Sequence, residues 1–184
     1  MADVEGVSAP LLAQFFSLLQ EQNKIRTLAE FSNLDAIDFA QCLIYVRTIQ
    51  RADALANQLL RVHFPAKALR AGLDESAKED ALQSWQTLQT RILVVVDDDQ
   101  LTADDTARVD CVAHYDMAAD AATYLRRVAD AKGISVAFIV SQIDRDGVSP
   151  DHETAIIDEL RGQHGASLVE LTGMRRQLTG RVVA

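Results

Sequence analysis

The densest concentration of chemistry-bearing side chains in this sequence is a run of aspartates. Asp97, Asp98 and Asp99 follow directly on the apolar run Ile92–Val96, and Asp104 and Asp105 come five residues later. In open α/β sheets ligands bind beyond the carboxyl ends of the strands, and carboxylates massed there could hold Mg²⁺ through oxygen ligands. The stretch 94–101 also approaches the apolar-run-then-Asp-x-Asp pattern of phosphotransfer enzymes. It fails at Leu101, where Thr or Val is needed, and no acidic partner motif follows. The run therefore reads as a solvated acidic loop, and no metal site is expected. His63, His114, His152 and His164 are scattered without ligand spacing, and no G-x-S-x-G elbow, Walker A loop or G-x-G-x-x-G turn is present. His114, at the end of a strand, reads as a satisfied structural histidine, and Trp85 and Tyr124 read as core anchors. Arg126 and Arg127 could grip a phosphate, but on a helix of so acidic a chain they read as a surface pair.

The elements that must position these residues follow from hydrophobic patterning. Short apolar runs predict strands at 41–46, 66–69, 91–96, 109–114 and 134–140, and near-continuous Val/Ile/Leu content, as in Ile92 to Val96, marks strands covered on both faces. Amphipathic stretches between them predict helices at 50–63, 75–89, 120–130 and 152–163, with Asp74 and Asp151 as N-caps. Leu55, Leu59, Leu60 and His63 form the buried stripe of the first, and Leu82, Trp85 and Leu88 that of the second. Ahead of them, 9–22 and 24–34 read as two further helices. Alternation of strand and helix predicts an α/β fold with a mainly parallel, five- or six-stranded sheet flanked by helices on both faces. Ile44, Val46, Leu93, Val95, Val112, Val136 and Phe138 should lie in its core.

Composition bounds the rest. The chain has 184 residues, 48% of them hydrophobic, so one compact domain can bury its own core without a staple. Eighteen Lys and Arg against 27 Asp and Glu give a formal charge of −9, which opposes general affinity for nucleic acid. Cys42 and Cys111 lie in apolar runs and read as buried thiols in a reducing compartment, with a disulfide left open. No apolar run approaches the ~20 residues of a membrane span, and the first residues lack a signal peptide's basic and apolar regions. A cytosolic or nuclear chain without membrane association is expected.

A specific set of residues carries a family resemblance over about residues 11–172. These are Asn23-Lys24-Ile25-Arg26, the run from Cys42 to Arg51, Phe64-Pro65-Ala66, Gly72, Arg91-Ile92-Leu93-Val94, His114-Tyr115-Asp116-Met117, Thr123-Tyr124-Leu125-Arg126-Arg127-Val128 and Lys132-Gly133-Ile134. In order and spacing they resemble the second, C-terminal RecA-like domain of DEAD-box RNA helicases, closest to the branch serving spliceosome assembly and mRNA export. The resemblance implies an N-terminal extension or helix at 1–22, the RecA-like domain at 23–172 and a tail at 173–184.

The departures are equally specific. The family's motif V, Ala-Arg-Gly-x-Asp, is replaced by 97–105 with neither Gly nor Arg. Of motif VI, His-Arg-x-Gly-Arg-x-Gly-Arg, only Arg127 survives, with Arg126 at the His position and the second half of the motif missing. Near Gly72 the family's His is Arg70, and its Gln-x-x-Arg pair is Glu75 and Lys78. An arginine finger is worth on the order of 10³–10⁵ in rate, so the resemblance implies no catalytic residue and no ATPase of the chain's own. ATP and Mg²⁺ would enter only with a first RecA-like domain outside this sequence. Candidate RNA contacts are Arg47, Thr48, Arg51, Gly72 and Lys78, with weak or no RNA binding by the chain alone. Asp97, Asp98, Asp99, Asp104 and Asp105 are candidate contacts for a protein partner with a basic surface, in an RNA-processing or export complex. The resemblance favours the nucleus.

Overall fold

The computed structural model describes residues 13–32, 40–96, 101–129, 131, 133–140, 150–163 and 168–170. The strands are β1 (Ala13–Leu19), β2 (Cys42–Tyr45), β3 (Ala66–Leu69), β4 (Ile92–Val95), β5 (Cys111–His114), β6 (Ile134–Val140) and β7 (Leu168–Glu170). The helices are α1 (Lys24–Ser32), α2 (Ile49–Arg61), α3 (Glu75–Gln86), α4 (Ala103–Thr106), α5 (Ala121–Val128) and α6 (Pro150–Gln163), with a 3₁₀ turn at Glu21–Asn23. The strands form a single sheet in the order β3-β4-β2-β5-β6-β1-β7. Every pairing is parallel. The sheet is the expected α/β architecture with one or two more strands.

Strand alternation divides the core in two. Leu43, Tyr45, Leu93, Val95 and Val112 point to one face and pack with Trp85 of α3, Tyr124 of α5 and Leu160 of α6. Ile44, Val46, Val94, Val136 and Phe138 point to the other, against Leu28 of α1 and Leu55 and Leu59 of α2. All seven residues expected in the core are buried. Cys42 and Cys111 face each other in register across β2 and β5 as free buried thiols. The hydrogen bond with Cys111 and burial together push the Cys42 thiol up.

The expected helix at 9–22 is overturned. Residues 13–19 form β1, which lies between β6 and β7 rather than in an extension outside the domain. Four consecutive buried residues, Gln14 to Ser17, fit a strand covered on both faces and not the single stripe of a surface helix. Helix stripes also shift. On α2 the buried positions are Ala52, Leu55, Ala56 and Leu59, while Leu60 and His63 face solvent. On α3 they are Ala81, Ser84 and Trp85. Leu88 is exposed beyond that helix, in the left-handed region at φ 62°. Asp74 caps α3 as expected, accepting from the Ala77 amide at 2.7 Å. α6 begins at Pro150, a residue suited to the first helical position, so Asp151 is placed within the helix and not at the expected N-cap position. Among the described residues no helix is long and apolar enough to cross a membrane.

Candidate functional site

The carboxyl ends of β2 and β5 bring together a network of charges. Asp116, two residues past β5 and 4% exposed, is its pivot. One carboxylate oxygen accepts from the Arg47 amide at 2.8 Å. The other lies 3.4 Å from Lys24 Nζ and 3.3 Å from Arg51 Nη1. Glu21, from the 3₁₀ turn, pairs with Lys24 at 3.2 Å and with the second Arg51 nitrogen. Lys24, 1% exposed, also donates to the Tyr115 carbonyl at 2.6 Å. Both Lys24 and Arg51 lie over the Tyr115 ring, 5.3 and 5.7 Å from its centroid. At the margin Arg47 pairs with Glu153 of α6 at 3.3 Å.

The electrostatics follow from this burial. Desolvation lowers the Lys24 pKa, and attraction to Asp116 and Glu153 opposes it. Burial pushes the Tyr115 hydroxyl up to about 12. Each cation here already has an anion, which is how charges come to be tolerated in so dry a place.

A second arrangement lies between β2, β5 and α5. Arg127 stacks on the Tyr45 ring at 4.2 Å. Tyr45 and His114 stack at 5.5 Å, and His114 and Tyr124 at 4.6 Å. The result is a column of one guanidinium and three rings. His114 is fully buried, and among the described residues neither of its ring nitrogens has a hydrogen-bond partner. The satisfied histidine expected there is not found. Burial, with the nearby Arg127 charge, drives its pKa down to about 3. The Tyr124 hydroxyl instead meets Gln14 and Ser135, each at 3.1 Å. A cavity of about 200 Å³ beside the column is lined by Leu43, Tyr45, Thr102, Val112, Arg126 and Arg127, among others.

The expected site residues divide into groups. Arg47, Thr48 and Arg51 come together at the start of α2, where Thr48 accepts from the Arg51 amide as its N-cap. Gly72, at φ 79°, lies in the β3–α3 connection and Lys78 in the first turn of α3, with β4 between β3 and β2. Asp97, Asp98 and Asp99 fall outside the described residues. Asp104 is exposed on α4. Asp105 corrects the expectation of an outward acidic cluster, being 5% exposed and turned inward. It forms a capping box with Thr102 and accepts from Gln86 at 3.1 Å, while its carbonyl accepts from Trp85 Nε1 at 2.9 Å. Burial opposes its ionisation, but the bonds from Thr102 and Gln86 prevail and lower its pKa. Sequence reasoning missed Glu21, Asp116 and Glu153 as members of the network. The one available signal was for Asp116, an acidic residue two positions past an apolar strand.

No family model matches the chain. The human ATP-dependent RNA helicase DDX39A is 32% identical over 165 residues, which are 87% of this chain and 36% of the helicase. The chain thus spans about a third of that relative's length. Among solved structures, a C-terminal domain of S. cerevisiae Dbp5 bound to Gle1 and IP6 has a TM-score of 0.71 at 18% identity, covering 87% of this chain and 89% of that one. S. cerevisiae Dbp5 bound to RNA and ADP BeF3 gives 0.71 at 17% identity, covering 90% and 42%. E. coli SrmB bound to RraA gives 0.65 at 16% identity, covering 86% and 88%. The parallel sheet agrees with the fold of these structures, and the chain belongs to the DEAD-box RNA helicase family as its second, C-terminal RecA-like domain.

Proposed function

We propose that this domain has lost its share of ATP hydrolysis and acts as a protein-interaction module in nuclear mRNA processing or export. The observation that carries the reading is the fate of motif VI. Arg127 lies over the Tyr45 ring of its own domain, and the five residues between α5 and β6 read Ala129-Asp130-Ala131-Lys132-Gly133 in place of Gly-Arg-x-Gly-Arg. A finger must reach charge developing on a transferring phosphoryl group; a guanidinium stacked within its own domain does not. Complexes of this fold with protein partners, Gle1 on Dbp5 and RraA on SrmB, support an interaction role. A partner with a basic surface fits the chain's charge.

A second reading is the RNA-binding half of an ATP-dependent helicase whose ATP-binding domain lies elsewhere in a longer protein. The Arg47–Thr48–Arg51 cluster and the complex of Dbp5 with RNA favour it. Purified chain mixed with ATP and Mg²⁺, with and without single-stranded RNA, should release no phosphate above buffer. RNA-stimulated turnover that disappears on Arg127→Ala would refute the first reading.

A further inference from the structure

We propose that Glu21 and Glu153 are guard residues, holding the guanidinium groups of Arg51 and Arg47 in internal ion pairs so that this face carries little net attraction for an RNA backbone. The inference rests on the proposed function and supplies a cause for weak RNA binding. Three cations, Lys24, Arg47 and Arg51, meet three carboxylates, Glu21, Asp116 and Glu153, so the network is formally neutral. Phosphate recognition needs both an unneutralised charge and free N–H donors. Arg51 spends one terminal nitrogen on Glu21 and the other on Asp116. Arg47 is 43% exposed but leans on a Glu153 side chain that is only 2% exposed.

The carboxylates are not equivalent. Asp116 also holds the Arg47 amide and Lys24, so it belongs to the scaffold. Glu21, 26% exposed on a short 3₁₀ turn, contributes only charge pairs to the network. Replacing it with Gln leaves Lys24 its bonds to the Tyr115 carbonyl and to Asp116. It also removes the charge that neutralises Arg51 on that side, leaving at most a neutral acceptor there, and gives the network a charge of +1.

The test is fluorescence polarisation of a labelled 12-nucleotide oligouridylate, titrated with wild type, E21Q and the double variant E21Q/R51A at roughly 50–200 mM salt. One added phosphate contact steepens the log–log salt slope by about 0.7 on a single strand. Binding by E21Q should be about three- to tenfold tighter than wild type at the lowest salt, and the double variant should return to the wild-type level. E21Q within twofold of wild type, with an unchanged circular dichroism spectrum, would overturn the guard. So would a gain that survives removal of Arg51, because the effect would then act elsewhere. If E21Q does not fold, E153Q and E153Q/R47A put the same comparison to the second pair, with the same deciding outcomes. ATP turnover by the wild-type chain would sink the proposed function while leaving the ratio of variant to wild-type RNA affinity readable.

Discussion

His114 makes the domain sensitive to mild acid. In the unfolded chain its imidazole titrates near 6.5, whereas burial between two tyrosine rings brings the folded value down to about 3. Between these pH values the unfolded state binds the extra proton, so stability rises with pH and is lost as pH falls below about 6.5. At pH 5 the folded ring is about 1% protonated, while the unfolded ring is almost wholly charged. Protonation then favours unfolding by RT ln(1 + 10^1.5), about 2 kcal/mol, nearly all of it gained between pH 7 and pH 5. His114→Phe keeps an aromatic ring in the stack and cannot titrate. It also removes two buried nitrogens that lack hydrogen-bond partners among the described residues, a change worth about 1–3 kcal/mol at neutral pH. Urea unfolding of both proteins at pH 7 and pH 5 separates the effects, because every other titrating group is common to the pair. The wild type should lose about 2 kcal/mol more than the variant over this interval. Equal losses, within ~0.5 kcal/mol, would refute the reasoning, since a buried neutral imidazole cannot leave that difference at zero.

Two further substitutions test local geometry. A Cβ on Gly133 would sit 2.4 Å from the Asp110 carbonyl oxygen. That oxygen is held by the Ile134 amide at 2.8 Å, while the Asp110 carboxylate holds the amides of Ala40 and Gln41. Gly133→Ala should therefore cost about 2–3 kcal/mol in urea unfolding, and a loss below ~0.5 kcal/mol would show that the backbone yields freely. Leu88 occupies the left-handed position after α3 with its side chain in solvent. Leu88→Gly should stabilise by about 1 kcal/mol, read as a higher urea midpoint, and a lower midpoint would mean that the exposed leucine is held by contacts that offset its strain.

The strands β2, β4 and β5 were legible because each is a short apolar run buried on both faces, and only the sheet itself satisfies such a run. The same property hid β1. Phe15, Phe16, Leu18 and Leu19 also suit a helix, and the choice is made by pairing with β6 and β7, more than a hundred residues away. The candidate site was half legible. The positions of Arg47, Thr48 and Arg51 at the start of α2 followed from local order along the chain. Their occupancy did not, because Lys24 and Asp116 are 92 residues apart and Arg47 and Glu153 are 106 apart. Asp105 was open to a better reading from sequence: Thr102-x-x-Asp105 has the spacing of a capping box, and a capping carboxylate turns back to its own helix. That His114 would be buried with no hydrogen-bond partner among the described residues had no local signal at all.

The place of β1 also sets an order of events in time. Both of its neighbours, β6 and β7, are made after it, and β7 pairs with nothing else among the described strands. During synthesis from the N-terminus, β1 therefore emerges well before either strand that will flank it. Until then the two strands that will pair with β1 are not yet made, and Phe15 and Phe16 lack the neighbours that flank them in the folded sheet. Closure of the β6-β1-β7 end of the sheet is a late, long-range step, slow by topology even though the segments from β2 to β5 can pair as they appear. A chaperone contact with residues 13–19 would be felt most in that interval.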